Sequence, residues 1–164
     1  MKDREIIQSL KDLIESNLAV LSRIEGYCRD FVEKELPPHG KRAYYHAVVL
    51  ADCFERYYTC LETIFMRISQ YFENNLDPAR WHRNLLENMR LRIEGVRERV
   101  ISEETYPLLV EFLKFRHFKR YYFDIDYDWD KMDYLRKKFE SLVPLIQRDI
   151  GGFLSFLDRL LESL

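Results

Sequence analysis

Residues 2–34 read KDREIIQSLKDLIESNLAVLSRIEGYCRDFVEK, and their apolar side chains recur every three or four positions. That spacing aligns them on one face of a helix of about nine turns. The apolar positions are Ile6, Ile7, Leu10, Leu13, Ile14, Leu18, Leu21, Ile24, Cys28 and Phe31. Residues 36–40, LPPHG, then end the helix, because proline lacks a backbone donor and restricts the residue before it. We therefore predict a long N-terminal helix that buries one face.

The same period returns after this break in two further segments. A second long helix is predicted from about Arg42 to Phe72, antiparallel to the first. Asp77 and Pro78 have the character of an N-cap and a first helical position. They predict a third, shorter helix that runs through Met89.

The second half of the chain predicts an irregular connection and two more helical regions. Residues 94–101 have weak periodicity, whereas residues 102–105, SEET, resemble a capped helix start. A fourth apolar face follows at Leu108, Leu109, Phe112, Phe115 and Phe118. The last region, Trp129 to Leu161, is expected to be broken or bent near Pro144 and again near residues 151–152, which are both glycine.

Composition agrees with one compact helical domain over residues 1–164. The chain has 164 residues, 47% of them hydrophobic, a net charge of -2, and only 5 glycines and 5 prolines. We predict an all-α fold, an antiparallel up-and-down bundle of four to five helices. No apolar run is long enough for a bilayer and the N-terminus is charged throughout, so we expect a cytoplasmic protein. Cys28, Cys53 and Cys60 suit small thiols in a reducing compartment rather than a zinc site or a disulfide framework.

The charge distribution is more informative than the net charge. Residues 114–120, KFRHFKR, contain four cations and no acid, and residues 80–99 contain six arginines against three glutamates. Arg116 and Arg120 are four positions apart, so a helix presents both guanidiniums on one face, where they could share a phosphate. Neighbouring aromatic residues favour RNA, because bases stack on such rings. The alternative is a solvated helix surface with no ligand.

His117 and Tyr121 form a second pair with this spacing, beside the arginines. An imidazole, a phenol and two fixed positive charges suffice to move a proton and to stabilise a phosphorane-like transition state. The alternative is a packed or surface histidine without a catalytic role. No other constellation predicts a cofactor or a metal site.

Over about Tyr44 to Leu135 the sequence resembles the HEPN superfamily, and in particular its HepT-like toxin branch. The resemblance rests on the order and spacing of several short motifs: Trp81-His82, Leu85-Leu86, Met89, Gly95-Val96-Arg97, Val100-Ile101-Ser102, and Phe115-Arg116-His117 with Arg120. The family motif is an arginine, a polar residue, any three residues and a histidine, often with a tyrosine two positions later. Here Tyr121 stands at the histidine position and Phe123 at the tyrosine position, and no histidine lies downstream of His117.

The resemblance implies the toxin of a toxin-antitoxin pair, a metal-independent endoribonuclease. In such enzymes two motif helices meet at the cleft of a homodimer, and the 2′-hydroxyl of the RNA attacks the neighbouring phosphate. Carried over to this chain, Arg116 and Arg120 would hold the phosphate, His117 would be the base, and Tyr121 would orient or donate. A minimal nucleotidyltransferase antitoxin is the implied partner. In some systems it modifies the motif tyrosine with AMP, for which Tyr121 or Tyr122 would have to substitute here.

Two other hypotheses remain open at this stage. One is a catalytically impaired HEPN module that binds RNA or a nucleotide, or pairs with a nucleotidyltransferase, without cleaving. The other is an unrelated helical scaffold with a solvated basic face.

Overall fold

Five α-helices make up the described part of the protein. The computed structural model describes residues 2–73, 81–121 and 126–164, apart from the side chains of residues 81–83 and 121. The helices are α1 (Lys2–Lys34), α2 (Tyr44–Phe72), α3 (Trp81–Met89), α4 (Tyr106–Tyr121) and α5 (Trp129–Ser163). The predicted all-α bundle is confirmed, and so are the bounds of α1. The predicted N-cap and first position at Asp77 and Pro78 lie outside the described residues.

The three long helices pack against one another, and α1 contacts both α2 and α5. The phenol of Tyr57 on α2 donates to the Glu25 carboxylate on α1 at 3.1 Å. Arg4, at the start of α1, donates to the carbonyl of Leu161 near the end of α5 at 2.8 Å. Gln147, earlier in α5, donates to Glu25, later in α1, at 3.3 Å. α1 and α5 are therefore antiparallel.

The core is a layer of aromatic rings that joins α2, α4 and α5. Phe54 of α2 packs with Phe112 of α4 and with Phe139 of α5, with ring centroids 5.4 Å apart in both pairs. Tyr57 meets Phe139 edge to face at 4.9 Å. All four rings are buried, and burial of rings of this size supplies much of the free energy that holds helices together. This layer fixes the position of α4, which carries the predicted site.

The start of α4 is held by a carboxylate from α5. Asp149 accepts hydrogen bonds from the backbone N–H of Ser102 at 2.9 Å, from its hydroxyl at 3.0 Å, and from the hydroxyl of Thr105 at 2.6 Å. The predicted start at residues 102–105 is thus confirmed to within the first turn, since α4 begins at Tyr106. The donors of Ser102 and Thr105 are thus satisfied by Asp149, a residue on another helix that the local sequence does not indicate.

The last helix, which was predicted to be broken or bent near Pro144 and residues 151–152, is not broken, and a bend stays a prediction. α5 continues from Trp129 to Ser163 with Pro144 inside it. A proline costs a helix interior about 3 kcal/mol, and glycines cost about 1 kcal/mol each. The buried stripe on both sides of these residues, which includes Leu142, Ile146 and Ile150, offsets that cost through packing on the other helices.

The connection between α3 and α4 is irregular, as predicted. An isolated bridge pairs Ile93 with Arg97, and Gly95 between them adopts a φ of 72°. That left-handed conformation favours glycine, so the turn depends on this residue. None of the helices in the described ranges has an apolar stretch long enough to cross a bilayer.

Candidate functional site

α4 has a buried face and an exposed face, and the motif residues divide between them. Leu109, Phe112 and Phe115 are buried, as the periodicity predicts. Phe118 was assigned to the same face, but it is exposed (38%), because a residue two positions after the buried Arg116 lies on the opposite side of a helix. His117 and Arg120 are exposed as well.

Arg116 lies on the buried face, with 6% of its surface exposed. Its two terminal nitrogens donate to the two carboxylate oxygens of Glu62 on α2, at 2.8 and 2.9 Å. The guanidinium also lies 3.4 Å from the hydroxyl of Thr59 and 5.0 Å from the ring centre of Tyr58. A bidentate pair of this kind is a strong and directional contact, and the aromatic face adds a cation–π interaction. The motif arginine is therefore anchored to α2.

The predicted fork of two arginines on one phosphate is not formed within the chain. Arg120 is exposed, whereas both terminal nitrogens of Arg116 are hydrogen-bonded to the carboxylate of Glu62. A buried cation requires a paired anion, and Glu62 supplies it inside the protein. Sequence analysis did not identify Glu62. Its signal is a charged residue within the otherwise apolar stripe of α2, one turn after Tyr58 and one turn before Phe65.

Burial and charge also set the protonation of Tyr58 beside this pair. Desolvation raises the pKa of the Tyr58 phenol, Glu62 raises it further, and Arg116 opposes both. Tyr58 therefore remains a neutral phenol at physiological pH and provides an aromatic wall rather than a proton donor or acceptor.

His117 is exposed on α4, directly after Arg116 in the chain. Its predicted partner Tyr121 ends the helix, and the Tyr121 side chain, together with Tyr122 and Phe123, lies outside the described residues. The predicted pairing of His117 with Tyr121 stays a prediction.

Much of the predicted basic surface is neutralised by ion pairs within the chain. Lys119 reaches Glu55 on α2 at 2.7 Å, and although partial burial disfavours the ammonium, the carboxylate of Glu55 raises the pKa of Lys119. In the preceding arginine-rich segment Arg90 pairs with Glu103 and Arg92 with Glu98. Within the described ranges, three cations of these two segments are exposed and form no ion pair: Arg99, Lys114 and Arg120.

Arg97, another member of the arginine-rich segment, is also buried. It pairs with Glu73, which follows the last turn of α2, through its Nε at 2.8 Å and through its Nη2. Its guanidinium donates to the carbonyls of Leu91 at 2.9 Å and Asn88 at 3.0 Å. Arg97 therefore ties the connection between α3 and α4 together and is not available for a ligand.

The cysteines occupy the interior, as expected for small thiols. Cys28 and Cys53 are buried and Cys60 is half-buried. Burial raises the pKa of the Cys60 thiol, which donates to the carbonyl of Asn17 at 3.6 Å. Among the described residues no three histidine, cysteine or acidic side chains come together as a possible metal site. Asp128, from the acidic segment before α5, caps that helix by accepting from the backbone N–H of Asp130 at 2.9 Å.

Comparison with known families provides an independent test of the resemblance. The sequence model of the family described as HepT-like protein matches residues 49–157, more than half of the chain. The chain belongs to the HepT-like family. No curated protein and no solved structure matches it.

The HepT-like match covers both buried arginines and both of their carboxylate partners, Glu62 and Glu73. It begins inside α2, so α1 lies outside it although α1 packs against α2 and α5. The candidate site on α4 therefore falls wholly within the part of the chain that defines the family.

Proposed function

We propose that this HepT-like protein is the toxin of a toxin-antitoxin pair and cleaves RNA without a metal ion. The observation that supports it most directly is the division of α4. Arg116 is fixed to α2 by Glu62, while His117 and Arg120 are presented to solvent beside it. A rigid helix that exposes an imidazole and a cation one turn apart is a suitable support for phosphodiester chemistry.

In the proposed reaction, Arg120 contacts a non-bridging phosphate oxygen and His117 removes the proton from the RNA 2′-hydroxyl. The 2′-oxygen forms a bond to phosphorus as the bond to the 5′-oxygen breaks, which leaves a 2′,3′-cyclic phosphate and a 5′-hydroxyl. Tyr121 orients the substrate or donates a proton to the leaving oxygen. Arg116 is a positioning residue in this scheme, because Glu62 occupies its outer edge. Its removal would displace the helix that carries His117.

The proposal includes a homodimer in which two copies of α4 face each other across a shared groove. Phe118, two positions before Arg120 on α4, is exposed, and in this proposal its ring packs against the partner subunit. Replacement of Phe118 by serine should convert the dimer to a monomer and abolish cleavage. Light scattering after size-exclusion chromatography measures the first effect, and a monomeric wild-type protein would contradict this part of the proposal.

Labelled RNA incubated with the purified protein in EDTA tests the activity. We expect cleavage by the wild type, at least a 100-fold lower rate for His117→Ala and Arg120→Ala, and a wild-type rate for Arg159→Ala, which removes an exposed arginine from α5 instead. A 2′,3′-cyclic phosphate on the product identifies attack by the 2′-hydroxyl. Cleavage that survives both α4 substitutions would refute the assignment of the site.

Tyr121 at the family histidine position favours a second candidate function. A phenol with an ordinary pKa near 10 is a poor base at neutral pH, so the chain could bind RNA, a nucleotide or a nucleotidyltransferase without cleaving. Salt-sensitive RNA binding without cleavage would support this function. Tyr121→His should then create or raise cleavage. No gain in a folded, dimeric variant would show that position 121 is not the motif position.

A nucleotidyltransferase antitoxin is the proposed partner in either case. Co-expression with such a protein, followed by mass measurement of this chain, tests whether AMP is attached. We expect the adduct on Tyr121 or Tyr122. An unmodified chain from a strain in which the partner suppresses toxicity would exclude this route.

A further inference from the structure

A cavity of about 350 Å³ lies between α1 and α5, away from the α4 motif. Its size falls within the range that holds small molecules in other proteins, roughly 300–1,000 Å³. Buried Cys28 and Phe139 line its interior, together with partly buried Val32 and Val143. These four side chains give the cavity an apolar interior, which favours a ligand with an apolar body.

One carboxylate is presented to this apolar interior. Glu25 accepts a hydrogen bond from the phenol of Tyr57 at 3.1 Å on one oxygen and from the amide of Gln147 at 3.3 Å on the other. Both donors are neutral, and within the described ranges Glu25 forms no ion pair. A carboxylate offers about four acceptor positions, so each oxygen retains room for another donor.

The pKa of Glu25 reflects this partly buried environment. Desolvation raises the pKa of the carboxyl, and the effect exceeds the opposing influence of Tyr57, Gln147 and Arg29. A carboxylate that is partly removed from water and whose hydrogen-bond donors are neutral is stabilised when a cation binds to it directly.

The charges at the rim favour a positive ligand as well. Arg136 is held by Glu140 at 2.9 Å and by Asp133 at 3.4 Å, so its charge is balanced within α5. Arg29 is the other cation at the rim, and it lies between Glu25 and Glu33 along α1, which are the two acids that this helix contributes to the lining. The lining as a whole carries one more acid than base.

From these features we infer that the cavity between α1 and α5 binds a small organic cation whose ammonium or amidinium group contacts Glu25 and whose apolar body packs on Phe139 and Val143. This site is separate from the α4 motif, and it does not depend on RNA cleavage. Most of it is formed by α1 and α5, so the ligand would bridge the first and last helices.

Titration with benzamidine, followed by NMR shifts or calorimetry on the full chain, tests the inference. Benzamidine carries an amidinium that can donate to both oxygens of one carboxylate, and benzamide is a neutral molecule of nearly the same shape. We expect saturable binding of benzamidine with Kd in the millimolar range or below, and at least tenfold weaker binding of benzamide.

Glu25→Gln should weaken benzamidine binding at least tenfold, because it removes the charge and keeps the size of the side chain. The matched control is Glu162→Gln, which removes an exposed charge from α5 outside the cavity and should change Kd less than twofold. Val143→Trp, which fills the cavity without changing charge, should abolish binding in a variant whose circular dichroism shows it folded. Absence of saturable binding, equal Kd values for the wild type and Glu25→Gln, or equal binding of benzamide would each overturn the inference.

Discussion

Two buried arginine–glutamate pairs in this molecule share their chemistry but differ in their surroundings. Arg97 pairs with Glu73 and also donates to backbone carbonyls of the connection between α3 and α4. Arg116 pairs with Glu62, and the hydroxyl of Thr59 and the ring of Tyr58, which also belong to α2, lie beside its guanidinium. Arg97 therefore holds backbone in place, whereas Arg116 joins two helices through side chains.

This difference decides what each pair can contribute. Carbonyl groups cannot be changed by mutation, so the environment of Arg97 requires a multidentate donor. Side chains can be exchanged together, so the environment of Arg116 could be replaced by apolar residues of similar volume.

The largest effect is expected for Arg97→Met. The substitution removes the cation from partly buried Glu73, which keeps, among the described residues, only the Ser69 hydroxyl as a donor, and the Arg97 donors from the carbonyls of Asn88 and Leu91. We expect a loss of about 3–5 kcal/mol in the free energy of unfolding. Urea denaturation measures it. Arg92→Met is the matched control, since Arg92 is exposed and pairs with Glu98 at 3.6 Å at the surface, and it should change stability by less than about 1 kcal/mol. Equal effects of the two substitutions would contradict the role given to Arg97.

Arg116→Met should cost about 2–4 kcal/mol, because Glu62 becomes a buried charge without this partner. The comparison is sharpest in the double variants. Glu62→Leu with Arg116→Met should recover most of the lost stability, whereas Glu73→Leu with Arg97→Met should not, because the carbonyls stay unpaired. Recovery in both, or in neither, would remove the distinction between the two pairs. RNA cleavage should stay low in the recovered variant.

Glu62→Gln is expected to have a smaller effect, about 1–2 kcal/mol. The amide keeps one acceptor for Arg116 but removes the negative charge and turns a donor toward the guanidinium. Thermal unfolding gives the stability, and the RNA assay gives the activity. If Glu62 positions α4, cleavage should fall by a factor larger than that for Glu55→Gln, which alters the more exposed pair with Lys119 on the same two helices.

Arg120→Ala should have the smallest effect on stability, within about 0.5 kcal/mol, because this side chain is exposed. The same substitution should weaken RNA binding and reduce the slope of log K against log salt concentration, since it removes one contact with phosphate. A clear loss of stability without any change in RNA binding would assign Arg120 to the scaffold instead.

The fold was predictable from the sequence to the extent that helical period and local stop signals determine it. The bounds of α1 agree because residues 36–40 contain a double proline and a glycine, which leave the chain no helical alternative. At Pro144 the same local rule fails, because packing of the whole buried stripe of α5 outweighs one missing hydrogen bond.

The candidate site was predictable only in part, because charge patterns do not report pairing between distant segments. Arg116, His117 and Arg120 are close together in the sequence, but Glu62 lies on another helix. The local sequence therefore does not distinguish the buried guanidinium of Arg116 from the exposed one of Arg120. The same reasoning placed Arg97 on a basic surface, although Glu73 holds it inside. A charged residue at a buried helical position, such as Glu62, is the feature to search for in related chains.

The contact between Asp149 and the start of α4 also has a consequence for synthesis of the chain. The carboxylate that receives the Ser102 and Thr105 donors is translated after α4 itself. On the ribosome, an incomplete chain that stops before residue 149 therefore has its motif helix without this acceptor. The helix that carries His117 and Arg120 acquires its native beginning only after residue 149 of α5 has been made.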